Sequence, residues 1–294
     1  MQTLNAYQRS NALGAAIELD LFTAIGESGA SSAELAQRCA AAERGVRILC
    51  DYLTVLGFLE KTGDRYRLTR DSAVFLDKNS PAYAGGAAEF LLSDHLKEAF
   101  ANVATAVRIG GTALGEGGST APEHPMWLSF ARGMGWMMRP GAQALAGILA
   151  LDPERDTTVL DIAASHGIWG LSFAEHSPRT SVVALDWAPV LQVTRENARR
   201  MGLSDRLRTI EGSAFEVDFG HDYDVILLPN FLHHFDPPTC VQLLRKCHSA
   251  LRENGRVAIV EFVPNPDRVS PPEAATFSLV MLASTERGDA YTFA

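Results

Sequence analysis

Apolar segments that alternate with segments of helical periodicity run through the second half of the chain, and they constrain the fold more than any other feature. Strands are predicted over residues 157–163, 181–185, 208–211, 223–228 and 256–263, and helices over residues 168–176, 189–201 and 238–251. Strands that are apolar throughout are typical of parallel sheets, which helices cover on both faces. The pattern therefore predicts a doubly wound α/β domain over residues 153–294.

Residues 1–80 have a different pattern, in which short helical segments precede a hairpin. Apolar side chains recur at helical spacing over residues 44–56. Residues 57–61 and 65–68 flank a Thr-Gly-Asp turn, which predicts two short antiparallel strands. Helices followed by such a hairpin are typical of a winged-helix domain.

Residues 81–152 are predicted to form helices, interrupted by a loop rich in glycine and proline over residues 110–125. The next segment, residues 126–138, is dense in methionine and aromatic side chains. Methionine-rich surfaces accommodate flat apolar ligands, although a helical core explains the same pattern. We interpret residues 81–152 as a helical linker that contributes to a substrate pocket.

Composition argues against several classes of protein. A net charge of −9 is unsuited to non-specific binding of nucleic acid or of anionic membranes. The cysteines, Cys39, Cys50, Cys240 and Cys247, are too scattered for a disulfide framework or a CxxC zinc site, and they fit a reducing compartment. The chain has no apolar run of the roughly 18 residues that a membrane span needs, and no secretory signal pattern at its start. We expect a cytoplasmic protein with no nucleic-acid, membrane or metal partner.

The segment DIAASHGIWG, which follows the first predicted strand, is the candidate ligand loop. Ligands of parallel sheets bind beyond the carboxyl ends of the strands, where the strand order reverses. Small residues at 163–165 and 167 let the backbone approach a ligand. Asp186, at the end of the next strand, can accept hydrogen bonds from ribose hydroxyls.

Two cofactors fit this loop. A dinucleotide requires GxGxxG, whereas the chain has SxGxxG with Ser165 at the first glycine position. S-adenosylmethionine has no pyrophosphate, so it needs fewer glycines, and the acid Asp161 before the loop favours it. The alternative is a turn whose small residues serve packing alone.

The segment after the fourth predicted strand, PNFLHHFDP, carries the adjacent histidines His233 and His234. Aromatic hydroxyls have a pKa near 10 and histidine has one near 6.5, so a positioned histidine can act as a general base. Capping of the loop is the alternative role. Glu261, at the end of the fifth strand, would orient a neighbouring imidazole or face solvent. The spacing of the histidines supplies no diagnostic third metal ligand.

Together with the winged helix, the motifs VLDIAASHGIWG, ALDW, GSAFEVDFG, NFLHHFDPPT and VAIVEFVPNP resemble the S-adenosylmethionine-dependent O-methyltransferases. The similarity is greatest to bacterial acetylserotonin- and hydroxyneurosporene-type members, with plant caffeic-acid-type enzymes more distant, and it covers essentially the whole chain. It implies a Rossmann-like sheet, S-adenosylmethionine as cofactor and a small hydroxylated aromatic or related acceptor. It also implies a homodimer formed through the N-terminal domain.

The resemblance implies roles for individual residues. His233 would be the general base, and Glu261 the acid that braces it. The residues implied to bind the cofactor are Asp161, Ala163, Ser165, Gly167, Asp186, Trp187, Ser213, Ala214, Phe215 and Asn230. Those implied to bind the acceptor are Phe130, Met134, Phe231, His234 and Met281.

The chain departs from the family at several of these positions. Ala163, Ala164 and Ser165 replace glycines, and a positive φ at Ser165 would cost about 1–2 kcal/mol. The Ser165 side chain could also crowd the cofactor. Ala290 stands where plant members have a second bracing acid, so the orientation of His233 would depend on Glu261 or another group.

Two other functions stay open on the sequence. Basic residues around the winged helix suggest a DNA-binding regulator, which a gel shift on random duplex would detect: Arg44, Arg47, Lys61, Arg65 and Arg67. Ser165 suggests a relative that binds the cofactor without methyl transfer, either inactive or a decarboxylase or hydroxylase. Calorimetric titration with S-adenosylmethionine would separate the inactive form from the methyltransferase.

The family sheet has seven strands, whereas residues 264–294 predict a helix over 271–286 and no further strand pair. Either the sequence is a fragment or the fifth strand is an exposed edge, which lowers stability. We therefore expect this chain to melt at a lower temperature than a C-terminally extended version. Equal melting temperatures of the two would contradict this expectation.

Overall fold

The computed structural model describes residues 1–115 and 117–293. Glu116, in the predicted glycine- and proline-rich loop, and Ala294, the last residue of the predicted α/β domain, lie outside the described residues. The chain divides into an N-terminal unit, Met1–Ser93, and a C-terminal unit, Asp94–Ala294. The separate linker predicted over residues 81–152 stays a prediction. Across the described ranges, no helix combines the length and the apolar character that crossing a bilayer requires.

The N-terminal unit has the predicted winged-helix order. Its elements are α1 (Ala6–Glu18), α2 (Leu21–Ile25), β1 (Ala30–Ser31), α3 (Ser32–Arg38), α4 (Glu43–Val55), β2 (Leu59–Thr62), β3 (Arg65–Leu68), α5 (Arg70–Phe75) and α6 (Ala87–Leu91). β2 and β3 form the predicted antiparallel hairpin, and β1 pairs with the other edge of β3. The apolar stripe of α4, which includes Val46, Cys50 and Leu53, is buried in the core of this unit.

Acidic side chains pair with three of the basic residues that suggested a DNA-binding regulator. Asp51 accepts from Arg47 at 3.1 Å and from Lys61 at 2.6 Å, and Glu34 accepts from Arg65 at 3.2 Å. Hydrogen bonds from Lys61 and Tyr66 lower the pKa of Asp51, so this acid is ionised at neutral pH. These pairs neutralise much of the positive charge around the hairpin.

The C-terminal unit contains the predicted α/β sheet. Its elements are α7 (Asp94–Ala101), α8 (Val103–Ile109), α9 (Met126–Leu149), β4 (Thr157–Ile162), α10 (Ile168–His176), β5 (Thr180–Asp186), α11 (Ala188–Arg200), β6 (Leu207–Glu211), β7 (Tyr223–Pro229), α12 (Pro237–Ala250), β8 (Leu251–Val260) and α13 (Pro272–Ser284). The described strands of this sheet are parallel and have the order β6-β5-β4-β7-β8. The order reverses at β4, which places a ligand-binding crevice at its carboxyl end.

Alternate residues of the central strands fill two cores. On one face, Val159 and Val225 pack with Trp169 of α10 and with Ala142 and Ala146 of α9. On the other face, the core includes Leu160, Ile162, Ile226 and Leu228 of β4 and β7 and Leu243 and Cys247 of α12. Burial on both faces explains why the strands are apolar throughout.

The fifth strand differs most from its prediction. β8 begins at Leu251 rather than at residue 256, and a register shift opposite Tyr223 lets it continue past the turn-prone pair Asn254-Gly255. It ends at Val260, so Glu261 lies immediately beyond the strand. The other predicted limits in this unit differ from the observed ones by at most two residues.

Candidate active site

The loop after β4 bends through three residues with left-handed backbone. Ala163, Ser165 and Gly167 have φ of +54°, +54° and +73°. A side chain at position 167 would approach Cγ2 of Thr194 to 2.5 Å, so this position requires glycine. Ser165 therefore has the positive φ that the sequence alone could not establish. This conformation is strained for an L-residue.

Asp186 closes the loop from the end of β5. Its Oδ2 accepts from the Ser165 amide at 2.8 Å, and its Oδ1 accepts from the Trp187 amide at 2.7 Å. Each carboxylate oxygen can accept more than one hydrogen bond, so Asp186 can accept further hydrogen bonds from a ligand while it holds both amides. Burial raises the pKa of Asp186 to about 6, against the opposing effect of the two amides.

Asp161 lies beneath the loop and is fully buried. Its Oδ2 accepts from the Gly170 amide at 2.8 Å, whereas its Oδ1 has no partner in the part of the chain that the structure describes. Burial raises the pKa of Asp161 to about 8, and the nearby Asp186 adds to the effect. A cation beside these two acids would lower both pKa values.

These residues fit an adenosyl sulfonium. The loop supplies small side chains, an acid at the tip of the next strand, and two buried oxygen atoms without partners among the described residues, Asp161 Oδ1 and Ser165 Oγ. The bulky side chain of Trp169 packs towards Ala142 and Ala146 of α9, so it does not fill the loop. Within residues 1–115 and 117–293, no group of three or more His, Cys, Asp or Glu side chains is arranged to hold a metal ion.

The predicted adenine side is built from two further segments. Trp187 packs with Val190, Val193 and Ala131. The Ser213 hydroxyl accepts from the Phe215 amide at 3.2 Å, which turns the chain after β6. Contact of Trp187, Ser213, Ala214 and Phe215 with a cofactor stays a prediction.

Lys246 of α12 holds the same turn, and no motif in the sequence predicts this role. Its ammonium donates to the carbonyls of Ala214 at 2.9 Å and Val217 at 2.5 Å. It also lies 4.2 Å from the centre of the Phe219 ring.

His233 and Glu261 meet at the carboxyl edge of the sheet. Glu261 Oε2 lies 2.5 Å from His233 Nδ1. Glu261 Oε1 accepts from the amides of Phe231 at 3.0 Å, Leu232 at 2.8 Å and His233 at 3.3 Å. The His233 and Glu261 side chains are only 5% and 13% exposed. When the Glu261 carboxylate accepts this hydrogen bond, Nδ1 is the donor, and the neutral imidazole then keeps its lone pair on Nε2.

A second contact holds His233 through its backbone. The Asp289 amide donates to the His233 carbonyl at 3.0 Å. A side chain at Gly288 would collide with that carbonyl, so the approach requires glycine. Ala290, which replaces the second bracing acid of plant members, is fully buried next to this contact. The backbone of residues 288–289 thus supports His233 without a second carboxylate.

His234 caps its own loop, which is the role that the sequence offered as the alternative to a general base. Its Nδ1 lies 3.1 Å from the Phe231 carbonyl, and its ring meets Trp127 edge-on at 5.3 Å. Burial, together with the neighbouring His233, lowers the pKa of His234 well below its ordinary value. This imidazole is therefore neutral at physiological pH and donates from Nδ1.

Aromatic rings surround the two histidines. Phe277 of α13 meets the His233 ring edge-on at 4.8 Å and stacks on Phe262 at 4.1 Å. Neither phenylalanine could be assigned to the site from the sequence, because their position depends on how α13 folds back over the sheet edge. Trp127 of α9 links this helix to His234 through their edge-on contact, and it also contacts Phe130 of the same helix at 5.8 Å.

The remaining predicted residues lie at different places around the loops. Phe231 packs with Phe215 and Phe235 rather than towards α9. The Asn230 amide group lies 3.8 Å from the Met138 sulfur, and the residue has φ of +53°. Met134 on α9 and Met281 on α13 are 5% and 4% exposed, and their contact with an acceptor stays a prediction.

Comparison with known proteins agrees with this geometry. The family model of the O-methyltransferase domain matches residues 130–292, and that of the O-methyltransferase dimerisation domain matches residues 1–78. A crystal structure from Nostoc punctiforme, which is described as that of an O-methyltransferase, is 53% identical in sequence and has a TM-score of 0.93. The match covers 99% of this chain and 88% of that one.

The curated relatives include two O-methyltransferases from Streptomyces. The tetracenomycin polyketide synthesis 8-O-methyl transferase TcmO of Streptomyces glaucescens is 28% identical over 99% of this chain and 86% of its own length. The 3-hydroxy-5-methyl-1-naphthoate 3-O-methyltransferase of Streptomyces sahachiroi is 28% identical over 94% of this chain and 80% of its own length.

Several solved structures with this fold contain S-adenosylmethionine or S-adenosylhomocysteine. The comparisons support S-adenosylmethionine rather than a dinucleotide, and methyl transfer rather than the regulator or the non-methylating relative. From its two matched domains, the chain belongs to the O-methyltransferase family and is an S-adenosylmethionine-dependent O-methyltransferase with an N-terminal dimerisation domain.

Proposed function

We propose that the enzyme methylates a hydroxyl group on a small aromatic acceptor of secondary metabolism, with His233 as the general base. The observation that carries this proposal is the short contact between His233 and Glu261 at the carboxyl edge of the sheet. The aromatic environment of His233 supports a flat acceptor. The names of the two Streptomyces relatives, one a polyketide enzyme and one a hydroxynaphthoate enzyme, support the same class.

The chemistry requires that the acceptor hydroxyl lose its proton as its oxygen is methylated. S-adenosylmethionine supplies the electrophilic methyl group. His233 Nε2 takes the proton, and the charge of Glu261 stabilises the imidazolium that forms. Phe277 and the neutral His234 limit the access of water to this imidazole. Glu261 acts as a positioning residue, because it contacts His233 and not the reacting atoms.

The loop residues are proposed to hold the cofactor in two parts. Asp186 accepts hydrogen bonds from the ribose, while Asp161 favours the positively charged end of the methionine. Trp187 and the turn at 213–215 surround the adenine. Ala163, Gly167 and Asn230 contribute backbone with positive φ that brings the main chain close to the ligand.

We further propose a cytoplasmic homodimer. Leu4, Tyr7 and Val55 of the N-terminal unit are 74%, 61% and 84% exposed, which supports an apolar contact with a second copy. The thiols of Cys39, Cys50, Cys240 and Cys247 are all free, which supports a reducing compartment.

Calorimetry and mass spectrometry together test the activity. The protein is titrated with S-adenosylhomocysteine and then incubated with S-adenosylmethionine and a set of hydroxynaphthoates and hydroxylated polyketides. We expect binding, and a product heavier than its acceptor by one methylene unit. Binding without any methylated product from this set would contradict the proposed acceptor class.

The affinity for S-adenosylhomocysteine is expected to fall below about pH 6. The pKa of Asp186 in the free protein is about 6, and protonation removes acceptor capacity for ribose hydroxyls. Protonation of Asp186 limits its part of this loss to about tenfold per pH unit, while protonation of Asp161, whose pKa is about 8, begins at higher pH. Titrations between pH 5 and pH 8, run in buffers of different ionisation enthalpy, measure both the affinity and the protons released.

The variant Asp186→Asn provides the control. It should bind weakly and without a pH dependence centred near 6, although Asp161, whose pKa burial still raises, continues to titrate. The free energy of unfolding without ligand should decrease as the pH rises, whereas the affinity increases. Both carboxyls have pKa values above their ordinary 3.8, so their burial destabilises the folded chain as the pH rises from about 4 to about 8. Unchanged wild-type affinity between pH 5 and pH 8 would contradict the role of Asp186.

A further inference from the structure

The Ser165 hydroxyl is a buried polar group that no residue of the described ranges 1–115 and 117–293 satisfies. The backbone of the same residue is fully engaged, since its amide donates to Asp186 at 2.8 Å and its carbonyl accepts from the Thr194 hydroxyl at 2.6 Å. The side-chain oxygen, by contrast, is buried and has no hydrogen-bond partner among the described residues. Most buried side-chain hydroxyls have a partner, so an unpartnered hydroxyl within the proposed cofactor loop is a candidate donor to the cofactor.

Serine is an unfavourable residue at this position in the free protein. Its φ of +54° is strained for an L-residue, and its unpaired hydroxyl has lost its hydration. Glycine would remove both penalties, because it tolerates positive φ and has no side chain. Strained residues of this kind concentrate in ligand-binding loops, where a bound ligand can offset their cost.

The position of Ser165 identifies the ligand. Its amide contacts the carboxylate that we propose to hold the ribose, and it lies between Asp161 and Gly167 in the proposed cofactor loop. An adenosyl amino acid brings hydroxyl and carboxylate oxygens to this loop, and both can accept a hydrogen bond from a serine. The alternative is that the side chain crowds the cofactor, in which case glycine would bind it better.

We propose that the Ser165 hydroxyl donates a hydrogen bond to an oxygen atom of the bound adenosyl cofactor. The inference rests on the proposed cofactor site and deepens it, since it assigns a direct contact to a side chain where the family loop has glycine. The serine then increases affinity for the cofactor, and it does so at the expense of stability in the free protein.

Calorimetric titration of Ser165→Ala and Ser165→Gly tests the contact. Both variants are expected to bind S-adenosylhomocysteine about 3–10-fold more weakly than the wild type, which corresponds to one lost hydrogen bond. Without ligand, Ser165→Gly should melt at a higher temperature than the wild type and Ser165→Ala, because only glycine relieves the positive φ. Ser172→Ala is the matched control, since the buried Ser172 hydroxyl already donates to the Ile168 carbonyl at 2.7 Å.

A second ligand locates the oxygen atom. Loss of affinity for both S-adenosylhomocysteine and 5′-methylthioadenosine supports a contact with the ribose. Loss for S-adenosylhomocysteine alone supports a contact with the amino-acid carboxylate, which methylthioadenosine lacks. Affinity of Ser165→Ala within twofold of the wild type, or tighter binding by Ser165→Gly, would overturn the inference. If the wild type itself fails to bind S-adenosylhomocysteine, the proposed function fails instead.

Discussion

The variant His233→Ala is expected to lower kcat by about 10²–10⁴-fold, the range typical for loss of a general base. Glu261 fixes the tautomer of this imidazole through a 2.5 Å contact with Nδ1, and the ring is nearly buried against Phe277. No other described imidazole contacts both an acid and the apolar surroundings of Phe277 in this way. The affinity for S-adenosylhomocysteine should change by less than about twofold, because His233 acts on the acceptor and not on the cofactor.

Steady-state kinetics together with calorimetry separate the two effects. His248→Ala is a suitable control, because this imidazole is exposed on α12, away from the loops. Its kcat should equal that of the wild type. A His233→Ala enzyme with unchanged kcat would exclude His233 as the base and leave alignment of the substrates as the source of catalysis.

The variant Glu261→Gln is expected to reduce kcat by at least about 10²-fold with little change in melting temperature. The amide oxygen of glutamine can still accept from the three backbone amides at 231–233. Its NH₂ group, however, donates to Nδ1, which forces the proton of His233 to Nε2. The imidazole then has no lone pair directed at the acceptor, and it also loses the charge that stabilises the imidazolium.

Glu261→Ala should behave differently. It leaves the amides of Phe231, Leu232 and His233 without their acceptor, and each unsatisfied buried amide costs about 1–3 kcal/mol. We expect a large loss in the free energy of unfolding, measured by denaturant titration, in addition to the loss of activity. If Glu261→Gln lowered the melting temperature as much as Glu261→Ala while retaining kcat, Glu261 would be a purely structural residue.

The sequence predicts the sheet well because its signal is local. Each of the apolar segments at 157–163 and 223–228 is long enough to specify a buried strand, and the small residues after the first mark the ligand loop. The pairing of Asp186 with that loop follows from the parallel topology, since both lie at carboxyl ends of neighbouring strands.

Contacts between distant segments could not be predicted in the same way. Glu261 accepts from three amides because a short turn at 232–234 folds against the end of β8. The approach of Gly288 and Asp289 to the His233 carbonyl depends on the path of the chain after α13. Periodicity and motif spacing carry no information about either path, so the backbone support of His233 emerged only from the structure.

The hydrogen bonds of Glu261 also bear on how this enzyme can evolve. One carboxylate holds the turn together and sets the protonation of the base, so a mutation that removes the carboxylate harms folding and chemistry at once. Lineages that lose methyl transfer while keeping the protein for another purpose are therefore expected to change His233 first and to retain Glu261. In such descendants, a glutamate without its histidine would mark former catalysts.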